Sequence, residues 1–404
     1  MVQAISLVAR GSRGLSDFGV FYRTCRLLAT GMGGELYPRL DVVTSWPISL
    51  SPTGLAIFQP LCLLGPGAAA AVWALFNLTL LGISLVVLRS CLSGRGDWDP
   101  EALFAWSAIL YLVLSTASIQ VGQFSVLFVA CWILSMGFLA RGRLLGASVF
   151  LAIPSAIKLY PVLMVAVPLS LVKTPKVALR QALLIAACLL TMCLLVPVLI
   201  YGSRAWALNL SFWENVILSP EGQLAYTLTL RYSNQSLDAV LLRYLTYDPG
   251  FHEVYAGVPH FSFDRSYVLA LANMGRALIL LATVGIVWRW RRRSSSRTIS
   301  TFSTFSPGDV VTMAALWSST LYMMLPETKS RYAVYAFLGF LPLLQAALDR
   351  SARQARIWRW TEIAVCTVLI LVLLPGSVQV YGVGLLGPLV LWLENINYTA
   401  RDAS

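Results

Sequence analysis

The sequence predicts an all-α polytopic membrane protein, a single integral membrane domain over residues 1–404 with about 10–12 spans. Three observations predict it. Of 404 residues, 58% are hydrophobic and 12% charged, against roughly a quarter charged in a soluble domain. Mean hydropathy is +0.73. Apolar runs long enough to cross ~30 Å of hydrocarbon recur along most of the chain. Helices follow from this, because they satisfy their own backbone polar groups in lipid.

The expected spans run at about 66–90, 101–119, 122–140, 144–160, 161–173, 180–201, 266–289, 308–325, 332–348, 360–381 and 383–394. A short apolar piece at 48–65, broken by Pro52 and Pro60, reads as re-entrant or interfacial. Pro154, Pro161 and Pro168 predict a broken pair over 144–173. Two polar stretches remain: a first loop over 1–47 with an interfacial helix, and a long insert over 203–265.

The net charge of +12 does not point to nucleic acid, since the cations gather in short loops between spans. Arg89 and Arg95 share one loop, Arg141 and Arg143 another, and Lys173, Lys176 and Arg180 a third. Arg289, Arg291, Arg292, Arg293 and Arg297 fill a fourth, and Arg350, Arg353, Arg356 and Arg359 a fifth. All five fall on one side of the membrane, which the positive-inside tendency makes cytoplasmic. The 1–47 loop, the turn at 119–122, the 203–265 insert and the loop at 326–331 then share the outer face. The exception is the first loop itself, where Arg10, Arg13, Arg23, Arg26 and Arg39 run against the tendency. A spanning helix ahead of Asp17, missing here because the chain begins downstream of the true start, is the favoured account; export by the helices that follow is the other.

Seven cysteines (Cys25, Cys62, Cys91, Cys131, Cys188, Cys193, Cys366) are scattered without ligand-like spacing, and the histidines are His252 and His260. A His/Cys metal site is not expected, nor is any cofactor. The cysteines read as small apolar fillers.

Candidate chemistry gathers on the expected outer face. Asp17 heads Asp17-Phe18-Gly19-Val20-Phe21-Tyr22. It fits a general base and equally the N-cap of an amphipathic helix. In Ser118 to Ser125, Gln120 and Gln123 suit sugar hydroxyls or a helix cap. Lys158, in Ile157-Lys158-Leu159-Tyr160-Pro161 beside a proline break, suits a phosphate or snorkels to the interface. In Pro326-Glu327-Thr328-Lys329-Ser330-Arg331-Tyr332, Arg331 offers a planar fork to a phosphate, with Lys329 beside it; the alternative is a solvated turn with Glu327 offsetting Lys329. Arg231 to Ser236 is dense in hydrogen-bonding groups, and Asn234-Gln235-Ser236 also matches a glycosylation sequon. Asp97-Trp98-Asp99 is a DxD triplet, but it lies in a cytoplasmic loop away from these clusters and reads as a structural turn.

Taken in order, these segments resemble the polytopic GT-C glycosyltransferases of family eighty-seven, which include polyprenyl-phosphate-mannose-dependent α-mannosyltransferases. The resemblance is carried by Asp17-Phe18-x-Val20-x-Tyr22, Gly122-Gln123-x-x-x-Leu127, Ile157-Lys158-Leu159-Tyr160-Pro161, Asn234-Gln235-Ser236-Leu237 and the Arg331-Tyr332 loop. It implies a GT-C-like helix bundle with outer-face loops, in a multi-pass protein of the cell membrane whose active site faces outward. It implies inverting transfer of a sugar, mannose first, from a polyprenyl-phosphate donor to a lipid or glycan acceptor, with membrane lipids around it and no nucleotide. Asp17 takes the position of the family's catalytic base. Lys158, Arg331 and Lys329 are then expected on the donor phosphate, and Tyr22, Gln123, Asn234 and Gln235 on sugar or acceptor. Two departures stand out: the mannosyltransferases carry a His in the loop corresponding to 326–332, and a helix ahead of the Asp. A transporter or flippase of a lipid-linked saccharide, which also uses broken helices and charge at membrane depth, is the alternative.

Overall fold

The computed structural model describes the chain except residues 1–4, 7–8, 10–15, 32–35, 38, 45–47, 93–98, 173, 219–232, 295–304, 326, 350–352, 372, 374 and 403–404. The described residues are overwhelmingly helical and include no β-strand. The principal helices, in order, are α1 (Asp17–Ala29), α2 (Pro52–Leu63), α3 (Pro66–Leu92), α4 (Pro100–Val121), α5 (Ser125–Ala140), α6 (Leu144–Ile157), α7 (Tyr160–Leu171) and α8 (Pro175–Tyr201). There follow α9 (Arg204–Phe212), α10 (Leu237–Leu245), α11 (Arg265–Ser294), α12 (Pro307–Met324), α13 (Ser330–Leu348), α14 (Arg353–Ile370) and α15 (Leu386–Asp402).

Among the described residues, five of these helices are long and apolar enough to cross a membrane alone: α3, α4, α8, α11 and α13. Others are shortened by their own sequence. The stretch expected to break over 144–173 does so at Lys158 and Leu159, between α6 and the 3-10 turn that opens α7. Pro161 falls in that first turn, where a missing amide costs nothing. The span expected over 360–381 ends at Ile370, just before Pro375 and a short separate turn of helix at Gly376–Gln379.

Burial sorts the helices into two groups. The interior ones, α5 and α12, are covered on nearly every side. By contrast α8 and α11 bury little and present Leu183, Leu199, Leu278 and Leu281 outward, as lipid-facing helices do. Lipid tails are as apolar as leucine, so association inside the bilayer rests on close approach and on polar bonds between helices. Both devices are present. A Cβ on Gly339 of α13 would sit 3.1 Å from Leu391 and 3.3 Å from Ser319, so three helices meet at a bare backbone. Trp317 donates to Ser170 at 2.8 Å, Gln181 to Ser148 at 3.0 Å, Asn395 to the Gly339 carbonyl at 2.9 Å, and Thr283 and Thr320 share a bond of 3.0 Å.

The ends that carry the polar segments are fixed by caps. Gly122 closes α4 in the left-handed region (φ 73°), and its carbonyl accepts from the Trp73 indole at 3.0 Å. Ser51 caps α2 by accepting from the Gly54 amide at 3.1 Å, while its hydroxyl donates to the Ala156 carbonyl at 2.6 Å. That one side chain ties α2 to the last turn of α6, next to Lys158. Replacing Ser51 with Ala removes a cap and a buried bond, so unfolding in detergent should register a loss of about 1–2 kcal/mol. An unchanged melting temperature would show that the cap is not holding α2 to α6.

Candidate active site

The carboxylate of Asp17 starts α1. Ser16, and not Asp17, is the N-cap, its hydroxyl accepting from the Gly19 amide. Asp17 is therefore released from capping, and it is buried, at 6% exposure. Aromatic packing sets its position: Phe18 meets Phe58 at 5.5 Å, Phe21 meets Phe124 at 5.3 Å, and Trp73 closes the group at 5.3 Å from Phe58 and 4.9 Å from Phe124. Farther along the helix, Arg23 makes a two-toothed pair with Asp41 at 2.7 and 2.6 Å, and Thr44 adds its amide and hydroxyl to the same carboxylate. Burial alone would raise the Asp41 acid, but these bonds hold it at about 2.

Cys25 of α1 is joined to Cys62 of α2 by a disulfide, with Cα atoms 6.2 Å apart. This corrects the reading of all seven cysteines as fillers. The two lie 37 residues apart, a spacing without a signal, and only the packing of α1 on α2 brings them together. The remaining five described cysteines are free.

Asp17 faces the loop ahead of α13. Both its oxygens accept from Nη1 of Arg331, at 3.0 and 2.9 Å, and Nη2 of Arg331 donates to Oε2 of Glu327 at 3.0 Å. The other oxygen of Glu327 pairs with Lys329, and the Tyr332 hydroxyl reaches Oε2 at 3.4 Å. Burial pushes the Glu327 acid up, but the charges of Arg331 and Lys329 outweigh it and hold the group at about 2. Lys158 approaches from the α6–α7 break. Its ammonium lies 5.8 Å from the Tyr332 ring centre and 5.9 Å from that of Tyr160, within cation–π range. It shares the field of Asp17, Arg331 and Glu327. Tyr160 and Tyr335 share a hydrogen bond of 2.7 Å beneath it. Asp17, Lys158, Lys329 and Arg331 thus lie in one cluster, together with Glu327, which the sequence reading had set aside as a counter-charge.

The predicted sugar-contacting residues are placed differently. The hydroxyl of Tyr22 donates to the Leu64 carbonyl at 2.7 Å, and its ring stacks on Phe18. Asn234 and Gln235 brace the loop from behind: Asn234 accepts from the Thr328 amide at 3.1 Å, and the Gln235 amide donates to the Thr328 carbonyl at 2.9 Å. Both ends of the Gln235 carboxamide are spent on backbone, at Gln379 and Gly384. Gln123 is buried, its carbonyl oxygen without a hydrogen-bond partner among the described residues. Behind the brace Arg243, with no exposed surface, donates to the carbonyls of Asn234, Gln379 and Val380. No sequence signal marked it, since an arginine inside a short amphipathic helix reads as surface. Asp99 caps α4, accepting from Glu101 at 3.0 Å and Ala102 at 3.3 Å. Asp97, Trp98, Arg231, Tyr232, Pro326 and the loop cations Arg10, Arg13, Arg95, Lys173, Arg297 and Arg350 lie outside the described residues. No three His, Cys, Asp or Glu side chains among the described residues gather as a metal would need.

The model of one protein family, glycosyltransferase family 87, matches residues 51–319. The match takes in about two thirds of the chain. The chain belongs to glycosyltransferase family 87. No curated protein matches it, and no solved structure does. It is a membrane glycosyltransferase, acting on a donor and an acceptor in a multi-pass helical frame. The matched stretch of the transferase contains Gln123, Lys158, Asn234 and Gln235, begins after Asp17 and ends before Glu327, so the acid and the charged loop are joined to it by geometry.

Two measurements check the site. Peptide mapping of this transferase without reductant should recover Cys25 linked to Cys62, and reduction should cost roughly 2–4 kcal/mol of stability; recovery of both as free thiols would contradict the pairing. Glu327 is held at about 2, below its ordinary 4.5, so its contribution is complete above the higher value and is lost as pH falls towards the lower one. Thermal stability should therefore drop across that acid window, and Glu327→Gln should lack that part of the drop.

Proposed function

We propose that this transferase moves a sugar from a polyprenyl-phosphate donor to a hydroxyl of a lipid or glycan acceptor on the outer face, with inversion and with Asp17 as general base. The observation that carries the reading is the charge of the cluster. Three cations, Lys158, Lys329 and Arg331, stand against two carboxylates, Asp17 and Glu327, which leaves one positive charge for an anionic donor.

In the reaction, Asp17 takes the proton of the acceptor hydroxyl as that oxygen bonds to the anomeric carbon. The bond from that carbon to the phosphate oxygen breaks, and its electron pair leaves with the polyprenyl phosphate. A single displacement of this kind inverts the anomeric centre. The donor phosphodiester carries one negative charge and the departing phosphate two. The site changes in step, because a protonated Asp17 leaves three cations facing Glu327 alone. Fixed charges aimed at the oxygen where charge develops are the largest source of catalysis in such sites.

Other features support the finer points. A disulfide persists in oxidising compartments, so Cys25–Cys62 beside the site favours the outer face. Leu159 and Val162, exposed next to Lys158, offer apolar surface to a lipid tail. Gln123 is the group best suited to a sugar hydroxyl, having a buried oxygen to spare, while Tyr22, Asn234 and Gln235 act by bracing. Mannose rests on the family resemblance alone. Membership in a transferase family replaces the transporter alternative.

Membranes holding the protein should transfer label from one member of a panel of polyprenyl-phosphate sugars, and the product should show the inverted anomer. Asp17→Asn should lower kcat by about 10²–10⁴-fold while the donor still binds. Full activity in that variant would remove Asp17 as the base, and no transfer from any donor would remove the reaction.

A further inference from the structure

In the state described, the proposed base is engaged by a cation. Both oxygens of Asp17 accept from one nitrogen of Arg331, so the guanidinium sits between them and leaves a hydroxyl only the remaining lone pairs. Arg331 is also held from its other side: Nη2 rests on Glu327, four residues back in the same turn. Glu327 is buried, and its second oxygen carries Lys329. The backbone under these groups is fixed by Asn234 and Gln235 on Thr328, and by the Tyr332 amide on the Lys329 carbonyl at 2.8 Å. Side-chain rotation of Arg331 about its Glu327 contact is the motion this leaves.

We propose that Glu327 is a positioning residue that retains Arg331 while the donor phosphate draws the guanidinium off Asp17, so that donor binding opens the side of the carboxylate between its two oxygens. The proposal rests on the polyprenyl-phosphate reading given above. A phosphodiester oxygen competes with Asp17 for Nη1, helped by Lys158 and Lys329, and Nη2 stays on Glu327 throughout. Arginine suits the exchange because its planar fork presents separate nitrogens to two anions at once. Without Glu327, Asp17 is the carboxylate left paired with Arg331 among the described residues, and the pair tightens.

Glu327→Gln keeps the shape and an acceptor oxygen and removes the charge. The site then becomes more positive, so donor KM should stay within about twofold while kcat falls about tenfold or more. Because Asp17 remains paired with Arg331 in the donor complex, the loss should fall on kcat and not on donor KM. Glu327→Asp, which restores the charge on a shorter arm, should lie between the two in kcat with donor KM again unchanged; it carries the test alone if the Gln variant does not fold. A counter-ion with a structural role only would cost melting temperature without splitting kcat from KM. That result, or a wild-type kcat in Glu327→Gln, overturns the proposal with the transfer reading intact. If the wild type transfers from no polyprenyl-phosphate sugar, the donor reading falls and this proposal falls with it.

Discussion

The site depends on one guanidinium shared by two acids. Arg331 joins Asp17, 314 residues away in sequence, to Glu327, four residues away. Charges beside a bilayer persist when paired, and removing one member of a buried pair costs about 3–5 kcal/mol because the other is stranded. This pairing fixes the start of α1 against the start of α13. The aromatic group around Phe58, the Arg23–Asp41 pair and the Cys25–Cys62 link then hold α1 down along its length. A helix otherwise half in solvent becomes a rigid mount for one carboxylate.

The bundle beneath supplies stiffness by different means. Burial against lipid gains little, so α12 and α13 close around small residues, and hydroxyls and indoles bridge the helices. Where α6 ends, the chain cannot continue as one α-helix through Pro161, since proline has no amide for the Ile157 carbonyl four residues back and its ring crowds that carbonyl. Lys158 is extended there (φ −141°, ψ 145°). The break leaves Lys158 at the end of α6 in the field of both carboxylates. The same proline chemistry that interrupts the span makes the site.

Much of this was legible in the sequence, for physical reasons. Hydropathy finds helices in lipid because the bilayer imposes length and apolarity together, and proline marks the α6–α7 break by removing a donor and crowding its neighbour. Asp17, Lys158, Lys329 and Arg331 stood out because charge near hydrocarbon is rare. What the sequence concealed depends on long-range packing. Cys25 and Cys62 look like the other five cysteines until α1 lies on α2. Arg243 looks like a surface arginine until three carbonyls surround it. Glu327 sits between two cations in sequence and reads as their neutraliser; its second part, holding Arg331 beside Asp17, exists only in three dimensions. Polar residues are ambiguous in the other direction, since Gln235 and Tyr22 have the chemistry to meet a sugar and here bond backbone carbonyls and amides.

That bonding has a use. On the proposed reading, a phosphate site that must release its product needs cations that are placed but not immobile. The long insert answers the first need: Arg243 is buried beneath Asn234, Asn234 and Gln235 grip Thr328 from both sides, and the loop backbone has nowhere to go. The second need is met at the side-chain level, because Lys329 and Arg331 are anchored to Glu327 by charge and hydrogen bonds that a phosphate oxygen can match. In the proposed reaction, rigid backbone with exchangeable ion pairs would let the cluster change its net charge by one as a proton reaches Asp17, without moving a helix. On that reading, the residues that look most like ligand contacts in the insert serve the reaction by bracing the loop at Thr328.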